Sequence, residues 1–257
     1  MIKEESRFAS STVFEGMTSI RAILDNIKDG VKNARKIEKI LFDKNKIKPK
    51  EKDFKYLSKM AEIYGFEIST VDSQEIDNIT VGASHGGIIA VCGEKEYETL
   101  SFDSLVDNGF YVMIEGIEDP YNFGYAVCSI YAAGGNGIIL SPRNWMGVAG
   151  VVARSSAGTS ELIDMFISEP EKAVDTFKQN GFTVICAGIR DSVSLFETDL
   201  KKPIFVVIGG EKRGISRAIL ERADKIVRID YGNSFNGSLS TAAASAVFAF
   251  EIFRNNK

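Results

Sequence analysis

The second part of the chain repeats one pattern, an apolar strand followed by a turn and a helix, and this pattern constrains its fold more than any other feature. Strands are predicted at FYVMIE (110–115), GIILS (137–141), TVICAG (183–188), PIFVVIG (203–209) and KIVRID (225–230). Helices are predicted near 124–133, 170–180, 214–222 and 239–254. Alternating strands and helices predict an α/β domain with a parallel sheet that is covered on both faces. Ligands bind such sheets beyond the carboxyl ends of the strands.

The first hundred residues predict a smaller α/β unit. A helix is expected at 19–29, where apolar residues recur at helical spacing up to Gly30, and a second at 52–66, closed by Gly65. A strand is expected at 36–43 between these two helices. The polar stretch 93–101 is predicted to be a linker. We therefore predict two domains, residues 1–102 and residues 103–257.

Charge is distributed unevenly along the chain. The 257 residues carry a formal net charge of −4, but residues 28–59 hold twelve Lys or Arg and five Asp or Glu, a balance of 12 − 5 = +7. The remainder then carries −4 − 7 = −11. A basic segment on an acidic body favours a protein that contacts phosphates with one part only. A solvated, lysine-rich surface is the alternative interpretation.

Several classes of protein are not expected. There is no run of about 18 apolar residues that would indicate a membrane span, and the start, MIKEESRFAS, does not resemble a signal peptide. The three cysteines, Cys92, Cys128 and Cys186, are far apart, and His85 is the only histidine, so no metal site is expected. The pattern is typical of reduced thiols in a cytoplasmic protein.

Two segments at predicted strand ends combine glycine with polar residues. In residues 117–135, Asn122 precedes a helix, where its amide can cap the helix or hold a ligand. In IGGEKRGIS (208–216) the glycines allow the backbone to approach a flat ligand closely, but the spacing is not that of a P-loop or a dinucleotide fold. Glu211 in this segment is either a helix-start carboxylate or a functional anchor.

A third segment, residues 228–246, places five polar side chains before an apolar, alanine-rich helix. They are Asn233, Ser234, Asn236, Ser238 and Ser240. One or two of them can cap the helix, and five are more than capping needs.

These three segments resemble, in order and spacing, the signature motifs of the SpoU/TrmH family of RNA ribose methyltransferases. DPYNFG (119–124) is similar to the Asp-Pro-x-Asn-x-Gly motif, IGGEKRG (208–214) to the Gly-x-Glu-x-x-Gly loop and SFNGS (234–238) to Ser-Leu-Asn-x-Ser. VARSSAG (152–158) also resembles a family segment. In the first domain, EGMTSIRAIL and SHGGIIAV are similar to the RNA-binding domain of ribosomal-protein type that often accompanies the family.

The resemblance implies a fold and an activity that the residue pattern does not show. It implies a carboxyl-terminal trefoil knot, a homodimer, and transfer of a methyl group from S-adenosylmethionine to a ribose 2′-hydroxyl of RNA, with rRNA expected rather than tRNA. It implies a catalytic set of Asn122, Glu211, Asn236 and Ser234. The implied cofactor-binding residues are Gly188, Ile208, Gly209, Gly210, Ile229, Phe235 and Ser238, with Phe235 in place of the usual leucine. The implied RNA-binding residues are Arg21, His85 and Arg154, although His85 can equally be a turn-stabilising side chain.

One position departs from the family pattern. The family has an arginine six residues after the Asn of the first motif, and this chain has Cys128 there. Cysteine supplies neither a fixed positive charge nor a bidentate fork. It can act as a thiolate base if its pKa is lowered, or serve only as a small apolar thiol. Arg154, Arg190 or Arg213 could substitute, so an active methyltransferase and a non-catalytic RNA-binding relative both remain open.

Overall fold

The computed structural model describes residues 12–31, 33–80, 85–142 and 148–257. The opening segment MIKEESRFAS and Ser84 of the segment SHGGIIAV lie outside these ranges. The strands are β1 (Val13–Glu15), β2 (Ile37–Asp43), β3 (Glu67–Val71), β4 (Ile88–Cys92), β5 (Glu98–Thr99), β6 (Phe110–Glu115), β7 (Gly137–Leu140), β8 (Asp164–Ile167), β9 (Thr183–Ala187), β10 (Val193–Ser194), β11 (Ile204–Gly209) and β12 (Lys225–Arg228). The helices are α1 (Gly16–Lys28), α2 (Glu51–Tyr64), α3 (Ser73–Ile79), α4 (Pro120–Ala132), α5 (Ala149–Ser155), α6 (Thr159–Leu162), α7 (Pro170–Gln179), α8 (Arg217–Leu220) and α9 (Thr241–Asn255).

The described chain forms two compact units. The first contains the described residues up to residue 96 together with 148–162, and the second contains 97–142 and 163–257. The boundary at residue 102 stays a prediction. No sequence pattern indicated that 148–162, which follows β7 in the chain, packs with the first unit.

The first unit has a four-stranded sheet in the order β1-β4-β2-β3. Strand β4 runs antiparallel to β1 and β2, while β2 and β3 are parallel. The predicted helices and strand of this unit are present, and Gly65 closes α2 in the left-handed conformation at φ 75°. Residues Ile20, Ile23 and Leu24 of α1 are buried against the sheet, as their helical spacing predicts.

The segment 148–162 is built into the first unit by close packing and by buried charges. A Cβ atom on Gly150 would lie 2.0 Å from the Val13 carbonyl oxygen, so only glycine permits the approach of α5 to β1. On α6, the Glu161 carboxylate is 3.1 Å from Arg35 Nε and 3.8 Å from Lys95 Nζ. All three of these side chains are buried. Removing one partner of such a pair costs about 3–5 kcal/mol.

The second unit has an eight-stranded sheet in the order β10-β12-β9-β11-β6-β7-β8-β5, and every pairing is parallel. The predicted fold class is thereby confirmed. Strands β5, β8 and β10 were not predicted; β5 and β10 have two residues each, too few for a periodic signal, whereas β8 is as long as the predicted strands β7 and β12. Strand β5 lies within the expected linker. Aromatic rings fill part of the core, where Phe177 and Phe205 stack with centroids 3.9 Å apart. The trefoil knot stays a prediction.

No helix among the described residues combines the length and the apolar character needed to cross a membrane.

Candidate active site

The order of the strands places the motif-bearing loops next to each other. Strands β12, β9, β11 and β6 are consecutive neighbours in the parallel sheet, so their carboxyl ends share one edge. The loops that leave this edge begin after Arg228, Ala187, Gly209 and Glu115. All the residues that we expect to catalyse the reaction or bind the cofactor lie at the ends of these strands or in the segments that follow them.

Asp119, rather than Asn122, caps helix α4. The Asp119 carboxylate accepts hydrogen bonds from the backbone N–H groups of Tyr121 at 2.7 Å and Asn122 at 3.3 Å, and Pro120 occupies the first helical position. Proline is favoured there because its fixed φ suits the helix and its missing N–H is not needed. Since the cap is already provided, the Asn122 side chain is available for another contact.

The loop 209–216 folds back on the end of strand β11. Gly210 and Gly214 form an antiparallel bridge, and a Cβ atom on Gly210 would lie 2.4 Å from the Gly116 carbonyl oxygen. Glu115 holds both ends of this loop. Its carbonyl oxygen accepts a hydrogen bond from the Gly210 N–H at 2.6 Å, and its carboxylate accepts one from the Ser216 N–H at 2.8 Å. Sequence reasoning missed Glu115, whose only signal is its place at the end of a predicted strand.

Asn122 and Glu211 come together across two motif loops. The Asn122 side-chain amide donates a hydrogen bond of 3.0 Å to Glu211 Oε1, although 89 residues separate the two in the chain. Asn122 is half-buried and Glu211 is exposed. The exposed carboxylate is therefore held at a fixed place by its neighbour, while its second oxygen can accept a hydrogen bond from a ligand.

The third loop is organised by Tyr231 and by the start of helix α9. The Tyr231 hydroxyl accepts a hydrogen bond from the Leu239 N–H at 3.3 Å, and its ring meets that of Phe235 edge-on at 5.4 Å. Ser240 caps the helix by accepting from the Ala243 N–H at 3.2 Å. The Thr241 hydroxyl donates to the Gly209 carbonyl oxygen at 3.1 Å, which ties the end of this loop to the second motif. Sequence reasoning missed both Tyr231 and Thr241.

Because Ser240 is the cap, the other polar residues of this loop are not needed for that purpose. Ser234, Asn236 and Ser238 are exposed. Within the described part of the chain, Ser234 and Asn236 form no hydrogen bond with Asn122 or Glu211. The structure therefore brings together two of the four expected catalytic residues and places the other two on the loop that leads to Thr241.

Most of the residues expected to bind S-adenosylmethionine are accessible at the surface. Gly188, Gly209, Gly210 and Ile229 are partly accessible, and Phe235 is 53% exposed. Ile208 is the exception, because it is buried in strand β11 with 3% of its surface exposed. Small and apolar residues at adjoining strand ends leave backbone groups and an aromatic face open to a ligand.

The three cysteines have different surroundings. Burial raises the pKa of Cys92 and of Cys186 to about 12, and the charge of Glu115 adds to the increase at Cys186. These two thiols therefore stay protonated and unreactive at neutral pH. Cys128 is half-buried on helix α4. No cluster of potential metal ligands occurs among the residues that the structure describes.

The arginines considered as substitutes for the missing one differ in their contacts. In the first unit, Arg154 Nη1 forms an ion pair of 2.5 Å with the Glu15 carboxylate. In the second unit, Arg190 and Arg213 are exposed on the loops after β9 and β11. Arg213 lies two residues from Glu211 and is thus close along the chain to the expected catalytic residues.

Two of the expected RNA-binding residues of the first unit are also engaged in internal contacts. Arg21 forms an ion pair of 3.1 Å with Asp53, and its guanidinium lies 4.7 Å from the centre of the Tyr56 ring. His85 is buried; its Nδ1 accepts a hydrogen bond from the Gly87 N–H at 3.0 Å, and its Nε2 lies 3.0 Å from Asp77 Oδ1. These contacts support the turn-stabilising interpretation of His85, and its role in RNA binding stays a prediction.

An edge of a parallel sheet that carries three adjoining motif loops defines the second unit as a ligand-binding α/β domain. Comparison with known proteins identifies the family. Residues 109–250 match the model of the SpoU rRNA Methylase family, and residues 15–98 match that of RNA 2'-O ribose methyltransferase substrate binding. The chain belongs to the SpoU rRNA Methylase family. The expected family and the expected methyltransferase class are confirmed.

Similar proteins span nearly the whole chain. The 23S rRNA (guanosine-2'-O-)-methyltransferase RlmB of Ralstonia nicotianae is 28% identical over 227 residues, 86% of this chain and 89% of the relative. RlmB of Shewanella oneidensis is 26% identical over 78% of this chain and 83% of the relative. The structure of an AdoMet-bound rRNA methyltransferase from Sinorhizobium meliloti matches with a TM-score of 0.78 and 20% identity, covering 98% of this chain and 94% of that one. The last comparison supports the fold.

Proposed function

We propose that this chain is an S-adenosylmethionine-dependent RNA 2′-O-ribose methyltransferase that acts on rRNA in the cytoplasm. The observation that carries the proposal is the contact between Asn122 and Glu211, which joins two family motifs at the carboxyl edge of the sheet. The names of the two RlmB relatives support rRNA as the substrate and the ribose 2′-oxygen as the site of methylation. The comparisons give no support to a non-catalytic RNA-binding relative.

The residues of this chain would act chiefly by positioning. S-adenosylmethionine supplies an electrophilic methyl group when it is bound. Gly209, Gly210 and Phe235 would hold the donor, and Asn122 would hold the Glu211 carboxylate so that its second oxygen accepts a hydrogen bond from the ribose hydroxyl. Fixing the two reactants in line supplies much of the rate enhancement of such a displacement. An acceptor for the hydroxyl proton supplies a further part.

Methyl transfer to unmodified RNA tests the proposal directly. We expect the purified chain to transfer a labelled methyl group from S-adenosylmethionine to transcribed rRNA and not to transcribed tRNA. The methylated nucleotide should resist alkaline hydrolysis, because the 2′-hydroxyl is the nucleophile in that cleavage. Calorimetry should show that S-adenosylmethionine binds. Binding of the donor without transfer to either RNA would contradict the proposal and favour a non-catalytic protein.

The position of Cys128 allows a second, sharper test of activity. We propose that the exposed guanidinium of Arg213 provides the positive charge that the family places at position 128. Arg213→Gln should then reduce transfer about 100-fold or more, as is typical when one group that stabilises the transition state is removed. Arg217→Gln is a matched control, because Arg217 is exposed and pairs with Glu221. The double variant Cys128→Arg with Arg213→Gln should regain activity; equal activity of Arg213→Gln and wild type would exclude Arg213.

The homodimer implied by the resemblance is also part of the proposal. Helices α4 and α9 pack against each other and carry exposed aromatic side chains, namely Tyr121, Tyr125, Tyr131, Phe250 and Phe253. Exposed apolar surface of this kind marks interaction sites on soluble proteins. Sedimentation should show a dimer, and Phe250→Glu should yield monomers. A monomeric wild-type protein would contradict this part.

A further inference from the structure

The basic segment 28–59 divides into two parts with different surroundings. In the earlier part, Arg35 is buried beside Glu161, and Lys39 lies 3.4 Å from the Glu67 carboxylate. Neither cation is available to a partner without breaking an ion pair. The later part, residues 44–59, holds seven lysines against Glu51 and Asp53, a balance of 7 − 2 = +5. The excess positive charge is therefore concentrated after strand β2.

Among the described residues, two of these seven lysines have an ionic partner, and three of the other five lie on one turn. Lys44 pairs with Asp72 at 2.5 Å, and Lys55 pairs with Glu51 at 2.6 Å. Among the described residues, no carboxylate oxygen lies within 4.0 Å of the amines of Lys46, Lys48 or Lys50. The charge of Lys46 acts on the buried Asp43, but from beyond ion-pair distance. These three lysines form what we call the lysine turn.

The lysine turn rests on the glycine turn 85–87. Gly86 and Gly87 have φ values of 61° and 79°, in the left-handed region that favours glycine. A Cβ atom on Gly86 would lie 2.7 Å from Lys50 Nζ, and one on Gly87 would lie 2.8 Å from Lys46 Cγ. The absence of side chains at these positions lets the two lysines lie directly against the backbone.

His85 fixes the conformation of the glycine turn. Its Nδ1 accepts the Gly87 N–H, so its Nε2 carries the proton that is shared with Asp77. Both nitrogens are thus engaged inside the first unit, and 7% of the residue is exposed. The ring can influence a ligand only through the position of Gly86, Gly87 and the lysines that they support.

We propose that Lys46, Lys48 and Lys50 bind the phosphate backbone of the RNA substrate and that His85 is a positioning residue for them. The inference rests on the proposed function and names the surface through which the first unit engages RNA. Adjacent ammonium groups without carboxylate partners complement a run of phosphates and read no base sequence. A membrane surface fits less well, because Ile47, the apolar residue between these lysines, is half-buried against the core cluster and is not a free group to insert into lipid.

The test compares two triple variants that remove the same charge. One is Lys46→Gln with Lys48→Gln and Lys50→Gln. The matched control changes Lys39, Lys55 and Lys178 to Gln, since each of these pairs with a carboxylate. Binding of a transcribed rRNA fragment to the full chain is measured from 50 to 200 mM salt. Each lost phosphate contact lowers the slope of log affinity against log salt by about 0.7 to 0.9. The lysine-turn variant should lose about two units of slope, and the control should lose much less.

The role of His85 is tested with two substitutions, one that should weaken RNA binding and one that should restore it. His85→Ala should weaken RNA binding but keep most of the salt slope, because the lysines remain while their position is lost. His85→Gln, which keeps an acceptor and a donor, should restore much of the affinity. Binding of S-adenosylmethionine should be the same in the lysine-turn and His85 variants as in wild type, since Lys46, Lys48, Lys50 and His85 all belong to the first unit.

Each outcome decides between the proposals. If wild type methylates rRNA but both triple variants bind RNA equally well, the lysine turn is not the RNA surface and the proposed function stands. If wild type binds S-adenosylmethionine but no RNA, both proposals fail. If the lysine turn is needed for retention on vesicles containing anionic lipid and not for RNA binding, the partner is a membrane and the inference is wrong.

Discussion

The two units of this protein differ in the surroundings of several polar residues that bear on function or stability. In the first unit, Arg35, Lys95 and Glu161 form a buried ionic cluster, and both nitrogens of His85 are engaged. The second unit has a core cluster of apolar residues and leaves Glu211 and Asn236 exposed at the edge of its sheet. His85, which lies in a segment similar to the family's RNA-binding domain, therefore has internal partners, while the motif residues Glu211 and Asn236 stand open to a ligand.

This difference matters for assigning function from motifs. Arg154 and His85 match expected positions in the sequence, yet each has internal partners that account for it. Asn122 also has an internal partner, but that partner is another motif residue, and the cap that Asn122 could have supplied comes from Asp119. A motif residue is more informative about activity when a neighbour already performs its structural task.

The largest expected effect is on the buried cluster of the first unit. Glu161→Ala should lower the free energy of unfolding by about 3–5 kcal/mol, because it leaves Arg35 and Lys95 buried without their carboxylate. Glu221→Ala, which breaks the exposed pair with Arg217, should change stability by about 0.5 kcal/mol or less. Urea unfolding at pH 7 measures both. If the two substitutions lower the free energy of unfolding equally, burial of the ion pair makes no difference to its contribution to stability.

The next effect concerns the exposed carboxylate of the second unit. Glu211→Gln should reduce methyl transfer about 100- to 1000-fold and leave unfolding nearly unchanged, because the group is exposed and acts on the substrate. Glu171→Gln on helix α7 is the control, since it also removes one exposed carboxylate. Initial rates with S-adenosylmethionine and rRNA provide the measurement. A large loss of stability in Glu211→Gln would mean that this residue, too, is structural.

A smaller effect is expected at Glu115, which supports the loop of Glu211 from beneath. Glu115→Ala removes the acceptor for the Ser216 N–H, and a hydrogen bond to a charged group is worth about 1.5–3 kcal/mol. The KM for S-adenosylmethionine should rise about tenfold or more. Glu115→Gln keeps one acceptor oxygen and should restore most of the binding. If the Gln and Ala variants are equally impaired, the charge of Glu115 matters rather than its hydrogen bond.

The smallest effect is a pH dependence that belongs to the first unit. Burial alone would raise the pKa of Asp43, but hydrogen bonds from Ser73 and Asn45 and the charge of Lys46 hold this pKa below its usual value. The unfolded chain then binds a proton at a higher pH than the folded chain, so stability falls as the pH drops through the folded pKa. Asp43→Asn should lower the free energy of unfolding by about 1 kcal/mol at pH 7 and weaken the loss of stability at acid pH. Thermal melts between pH 7 and pH 3 measure how stability depends on pH. If the stability of Asp43→Asn falls as steeply with pH as that of wild type, Asp43 is not the source of this pH dependence.

Local sequence patterns predicted the long elements well. Strands β6, β9 and β11 lie where apolar runs were found, and helix α9 begins two residues after its predicted start. The strands β5 and β10 were missed because two residues carry no period of their own, and β8 was missed although it is as long as β7 and β12. Their pairing depends on a neighbouring strand that is distant in the chain, as β5 depends on β8.

The sequence by itself determined the alternation of strands and helices and the identity of the three motif loops, since side-chain periodicity and glycine spacing act over a few residues. Tertiary structure decided that Asp119 is the cap, that His85 is locked into a turn and that 148–162 joins the first unit. The physical reason is distance along the chain. The partners Asn122 and Glu211 are 89 residues apart, and Arg35 and Glu161 are 126 apart, so only the folded chain brings their charges and hydrogen-bonding groups together.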